Sequence, residues 1–155
     1  MLRTKKILVA FVAGLLLFGG ASTASARGLT GPDAALLKAM NSVRASHGLA
    51  ALHVDYRLAA TARAHSVDML RHNYFSHGAF ASRVRSSGAA GPMFGEDLAW
   101  GPASASWVVD RWLASPPHRA ILLRPGFRRV GIGALRGTFS GVSGAMVVTA
   151  DFAGR

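Results

Sequence analysis

The chain has 155 residues, with 18 Lys or Arg against 7 Asp or Glu, a formal net charge of +11, and no cysteine. That length suits one domain with one hydrophobic core, and the lack of thiols excludes a disulfide framework and a thiolate zinc site, so any metal would need His, Asp or Glu ligands. The positive charge favours anionic partners of any kind, but the arginines are scattered along the chain. No dense basic run or aromatic-rich motif points to specific nucleic-acid recognition.

At the N-terminus Arg3, Lys5 and Lys6 precede an apolar stretch, Ile7 to Phe18, broken only by Gly14; Ala24-Ser25-Ala26 then supplies small residues for cleavage. This order of parts predicts a cleavable signal peptide over residues 1–26. The apolar stretch is about 12 residues, short of the ~20 that cross a bilayer, and no later run is longer. The product is therefore expected to be secreted, or held at the cell envelope, with no transmembrane span after cleavage. Residues 27–33 read as a lead-in and 34–155 as one domain; together they keep 15 of the basic residues and all 7 acidic ones.

Along that domain, Asp33 to His47 has helical spacing through Leu36, Leu37, Ala39, Met40 and Val43, with Gly48 as the stop. Asp55 can cap a second helix running to about His72, with Leu58, Ala59, Ala62, Val67, Met69 and Leu70 on its buried sides. Tyr74 to Gly78 follows as a loop, and Ser82 to Ser87 fits a short third helix. Gly95 to Gly101 is apolar in its middle and bounded by glycine, which fits a strand or extended loop. Ser104 to Leu113 repeats at three and four through Trp107, Val108, Arg111 and Trp112. Ser115 can cap a further turn that opens on Pro116, where proline is well tolerated. Val130 to Gly133 and Ala145 to Phe152 read as two strands of a hairpin joined by a loop from Arg136 to Gly144, with the glycines allowing close backbone approach. Helices first and strands last give an α+β layout with an antiparallel sheet.

Three residues stand out chemically. Glu96 is the only glutamate and sits among apolar residues beside Gly95. His77 lies in the loop after the second helix. His118 falls in the first turn of a short helix, where the dipole disfavours the cationic ring and lowers its pKa. A carboxylate and two imidazoles in one cleft could hold a divalent metal such as zinc through His77 and His118, or let Glu96 act as general base. His65 shares a helical face with Leu58, Ala62 and Met69 and reads as a partly buried, hydrogen-bonded histidine. His47, His53 and His72 read as surface residues.

An ordered series of short motifs then carries a family resemblance. Asn41-Ser42-Val43-Arg44 is followed by Tyr74-Phe75-Ser76-His77, Gly95-Glu96-Asp97-Leu98-Ala99 and Gly101. Trp112 to Leu122, containing Ser115-Pro116-Pro117-His118-Arg119, comes next, then Gly131-Ile132-Gly133 and Asp151-Phe152. Together they resemble the CAP superfamily of cysteine-rich secretory, antigen 5 and pathogenesis-related 1 proteins (SCP domains), in its disulfide-free bacterial branch. The resemblance implies a three-layer α–β–α sandwich with a small central antiparallel sheet, and a cleft holding two histidines and two acidic residues. His77, Glu96 and His118 match three of those four positions. The fourth falls by count on Ser115, with Asp110 the nearest acidic residue, and the family's usual Gly-Glu-Asn triplet ends here in Asp97.

Three functions are compatible with these residues. The first is a secreted CAP-domain protein that binds cell-wall glycan, lipid, sterol or another secreted protein in the His/Glu-lined cleft. The second is a divalent-metal-dependent hydrolase built on His77, Glu96 and His118. The third is a basic domain that adheres to anionic polymers without specificity.

Overall fold

The structure, a computed structural model, describes residues 29, 31–101 and 104–155. The predicted signal peptide, residues 1–26, lies outside them. The described elements run in the order α1 (Gly31–Ser46), β1 (His53–Val54), α2 (Tyr56–His72), α3 (Phe80–Ser86), β2 (Met93–Gly101), α4 (Ala105–Ala114), α5 (Pro116–Leu122), β3 (Phe127–Phe139) and β4 (Val142–Gly154). The strands form one sheet ordered β1-β3-β4-β2, so β2 is an edge strand.

Strand alternation sorts the sheet into two faces. Val130, Ile132 and Ala134 of β3 point with Met146, Val148, Ala150 and Phe152 of β4 toward α1 and α4, where Leu36, Met40, Val108, Val109 and Trp112 complete the main core. The other face carries Gly131, Gly133, Thr149 and Asp151 and is covered by α2. Helices on both faces make the three layers that the resemblance implies, in an α+β chain. Its closeness to α2 has a local cause: a Cβ on Gly131 would lie 2.0 Å from the Leu58 backbone, and one on Gly133 2.5 Å from that of Arg63. Hydrogen at these two positions lets the helix axis settle onto the strand.

The helix starts follow their caps. The Asp55 carboxylate accepts from the N–H of Arg57 and Leu58, and Asn73 closes α2 in the left-handed region at φ 51°, its N–H donating to Met69 O. Ser104 caps α4 by accepting from Trp107 N–H. Ser115 precedes α5 as expected but makes no capping bond with its side chain; Pro116 fixes the first turn instead.

Three features depart from the sequence expectation. The hairpin strands are much longer than Val130–Gly133 and Ala145–Phe152, and the predicted nine-residue loop shrinks to Ser140 and Gly141 at φ 47° and 78°. Two successive positive φ values make the tight hairpin turn whose twist matches the strands, and Phe139, stacked edge-on against Trp100 at 5.0 Å, carries the pairing to its rim. The sheet is mixed rather than wholly antiparallel, because β1 pairs in parallel with Arg129 and Val130 of β3. Two residues are too few to show an alternation. Arg44, grouped by sequence with the scattered surface charges, is fully buried, and its guanidinium donates to the carbonyls of Ala50, Leu122, Arg124 and Phe127. Among the described residues no helix is long and apolar enough to cross a membrane.

Candidate functional site

The site forms along the free edge of β2, where α2, the loop after it, α3 and α5 converge. Glu96 stands in mid-strand, on the α2 side of the sheet, with its side chain 1% exposed. A carboxylate so deep needs partners, and it has two: His77 Nδ1 lies 2.7 Å from Oε1, and the Arg83 guanidinium pairs with Oε2. The loop that carries His77 is anchored from both sides. His65 Nε2 bonds to Ser76 O at 2.9 Å, and Arg83 Nη1 donates to His77 O at 2.7 Å. His65 is buried, as its helical face predicts, and burial lowers its pKa, with Arg83 adding to the effect.

This geometry sets the chemistry of His77. Facing a carboxylate, Nδ1 carries the proton, which leaves Nε2 as the acceptor. The ring is 56% exposed while its carboxylate partner is sealed. A ligand therefore meets an oriented imidazole, not a bare acid.

His118 sits in the third position of α5, and its pKa is lowered by burial and then by the nearby charge of His77. The direction matches the sequence expectation; the causes are desolvation and the second histidine. The two rings thus come to one side of the molecule. His118 also lines a groove of about 280 Å³ with Phe75, Trp107, Arg111, Trp112 and Ser115. Trp112 is fixed by donation from Nε1 to Leu98 O at 2.9 Å, and Arg111 lies over the Trp107 ring at 5.7 Å. Phe75 and Trp107 are among the few large apolar side chains left exposed.

The fourth position of the expected cleft is differently filled. Ser115 lines the groove, and Asp110 is exposed on α4. The acid that accompanies Glu96 is Asp151, its direct cross-strand partner, fully buried on the same face. Burial, and then the charge of Glu96, push the Asp151 carboxyl up to about 8. Asp97, one residue on, faces the opposite side of the sheet, opposite Ala150. It too is fully buried, neither oxygen has a hydrogen-bond partner, and burial followed by the Glu96 charge raises it to about 8. It does not join the cleft.

Arg83 and Asp151 are not among the candidate site residues read from sequence, where Asp151 enters only with Phe152 as a motif of the resemblance. Arg83 looked like one charge on a short surface helix, and Asp151 showed its relation to Glu96 only through strand register. Among the described residues no group of three or more His, Asp or Glu side chains is arranged to hold an ion. The oxygens of Glu96 are committed to His77 and Arg83, so an ion there would have to displace a guanidinium.

Comparison with known proteins agrees with this architecture. The family model for CAP, the cysteine-rich secretory protein family, matches residues 37–152. The uncharacterized protein YkwD of Bacillus subtilis is 36% identical over 98 residues, covering 60% of this chain and 38% of that protein. The uncharacterized membrane protein YlbC of the same organism is 34% identical over 106 residues, covering 65% and 31%. The chain thus spans about a third of the length of these relatives. Among solved structures, an extracellular protein containing an SCP domain from Bacillus anthracis aligns with a TM-score of 0.66 and 26% identity, over 83% of this chain and 45% of that one. An outer surface protein from Borrelia burgdorferi shares the fold at a TM-score of 0.65 and 22% identity, over 77% and 90%. With the family model covering most of its length and the same layered fold, this chain belongs to the CAP (cysteine-rich secretory protein) family.

Proposed function

We propose that the chain is an exported CAP-domain binding protein that takes a ligand of the cell envelope or medium into the groove beside His77, Glu96 and His118. The observation that carries this reading is the state of Glu96. Its carboxylate is paired with Arg83, hydrogen-bonded to His77 and sealed from solvent, so the surface offered to a ligand is an oriented imidazole beside an aromatic groove. Such a surface combines apolar contact with a few fixed polar groups, the usual composition of a small-molecule site. Export is supported by the predicted signal peptide and by the extracellular B. anthracis relative.

The experiment is a titration of isotope-labelled protein with wall fragments, phospholipid vesicles and a sterol, followed by NMR. The reading expects one of these to shift Trp107, His118 and His77 together. Shifts for none of them, or shifts confined to residues far from the groove, would refute it.

A second reading is favoured by the pairing of His77 with Glu96 alone. A carboxylate-bound imidazole with Nε2 free is an arrangement suited to a general base. Hydrolysis of wall-fragment amide, ester or glycosidic bonds that is lost in His77→Ala, with the fold intact, would support it; equal turnover by His77→Ala would remove it.

A further inference from the structure

The fold gathers at one end of the sheet a set of arginines that the sequence scatters. Pairing of Phe127 with Gly154, and of Met93 with the same Gly154, brings the start of β3, the end of β4 and the segment before β2 to one edge. Glycine makes that convergence possible. A Cβ on Gly91 would sit 2.6 Å from Gly154 O, and one on Gly126 2.4 Å from Arg155 O. A cavity of about 1000 Å³ opens there, lined by His53, Arg128, Arg129 and Arg155 around those glycines. A second one of about 340 Å³, sharing Arg129 and Ala90, continues it to Tyr56 and Arg57 at the start of α2. No lining residue is common to these cavities and the aromatic groove.

Arg57 and Arg128 are held in place on carbonyls without being neutralised, while Arg129 is also paired with a carboxylate. Arg57 Nη1 donates to Gly88 O at 2.7 Å, and Arg128 Nη1 to Phe127 O at 3.0 Å and to Pro125 O. Arg129 bonds Ala90 O and pairs with Asp55 at 2.8 Å. Asp55 is the one acidic side chain among the described residues lining either cavity. Carbonyl anchors fix position and leave the charge, so the remaining N–H donors are set for an oxyanion.

We propose that this face is a second binding site, for a polyanion whose charges are phosphodiesters on a chain without bases. Guanidiniums come from the start of α2, the start of β3 and the end of β4. Each of the two free oxygens of a phosphodiester can accept from a different guanidinium, and successive units of a polymer can meet the arginines of different elements. The cavity lies at the upper end of the range for ligand sites, enough for more than one charged unit. Single-stranded nucleic acids are held by successive aromatic platforms, and this face offers only Tyr56.

The test is binding of the purified protein to a synthetic polyglycerol phosphate over a range of salt, with polygalacturonate and oligodeoxythymidylate as comparison polymers. The site predicts preference for the polyglycerol phosphate and an affinity that falls steeply with salt. Each of Arg57→Gln and Arg128→Gln should lower the log–log salt slope by about 1. Arg71→Gln lies near the other end of the 17-residue α2, about 21 Å from Arg57 along the helix, and should leave the slope unchanged. Equal binding of polygalacturonate, tighter binding of the oligonucleotide, or no effect of the two face variants while the fold is intact by circular dichroism would each overturn the proposal. Shifts at the aromatic groove in the titration above are read separately, so failure here leaves that reading standing.

Discussion

Arg44 shows how much one side chain can fix. Its guanidinium ties the C-terminal part of α1 to the turn after α5 and to the first residue of β3 through four carbonyls, those of Leu122 and Phe127 in buried bonds. Arg44→Ala should cost on the order of 3 kcal/mol in urea unfolding, since it strands those acceptors in the interior. Arg44→Lys should recover only a small part, because an ammonium cannot span a fork of four separated carbonyls. Glu96 is the other residue whose neighbours depend on it. Glu96→Gln removes the charge that holds Arg83 and replaces one of the two acceptor oxygens by an NH2 group, which faces His77 Nδ1 when Arg83 keeps the remaining oxygen. Nitrogen-15 spectra of the imidazoles should then show His77 losing its predominantly Nδ1-protonated form. An unchanged tautomer would mean that Glu96 does not set the ring.

Much of the candidate site was legible at this scale, and the rest was hidden for physical reasons. His77 and His118 could be singled out because histidines in a loop and in a first helical turn are chemically unusual positions, and Glu96 because a lone glutamate among apolar residues demands an explanation. Asp151 could not, because its closeness to Glu96 is set by the register of β2 against β4, which no local pattern encodes. Arg83 looked like any exposed arginine until α3 was placed against the strand edge. Asp97, which ends the Gly-Glu-Asn-like triplet, is turned by strand alternation to the face opposite Glu96.

Among elements, the contact of α2 with β3 depends on an absence of side chain. Gly131→Ala would drive a methyl group into the backbone of Leu58 and Ala59, neither of which can yield as a flexible side chain can. The cost should be about 3 kcal/mol or more, at or above the upper end for overpacked cores. Gly141→Ala, in the hairpin turn at φ 78° with open space around its Cβ, should cost only about 1 kcal/mol of backbone strain. Comparing the two in chemical denaturation separates steric from conformational cost. Helix bounds were readable because capping is local: Asp55, Ser104 and Asn73 carry it in adjacent residues. The length of the hairpin and the parallel β1 were not, since both depend on partners distant in the chain.

At the level of the whole molecule, two buried carboxyl groups shape the response to pH. Asp97 and Asp151 are raised from 3.8 to about 8, so each binds its proton more tightly in the folded chain than in the unfolded one. The stability they confer is complete below about pH 4 and is lost as pH rises toward 8. His65 and His118, with lowered pKa values, act in the other direction but only below their ordinary value of 6.5. Between pH 6.5 and 8 the acids therefore prevail, and thermal stability should fall across that interval. Asp97→Asn, which cannot ionise, should flatten the fall and raise Tm at pH 8 by on the order of 5 °C.

The proposed ligand site is one groove lined by His118 and Trp107 with His77 standing beside it, and its most direct test is the paramagnetic broadening map of a spin-labelled wall fragment bound to isotope-labelled protein. The predicted result is broadening centred on Trp107, His118 and His77, abolished together with binding in Trp107→Ala. Broadening centred elsewhere on the domain, with those three signals sharp, would contradict it.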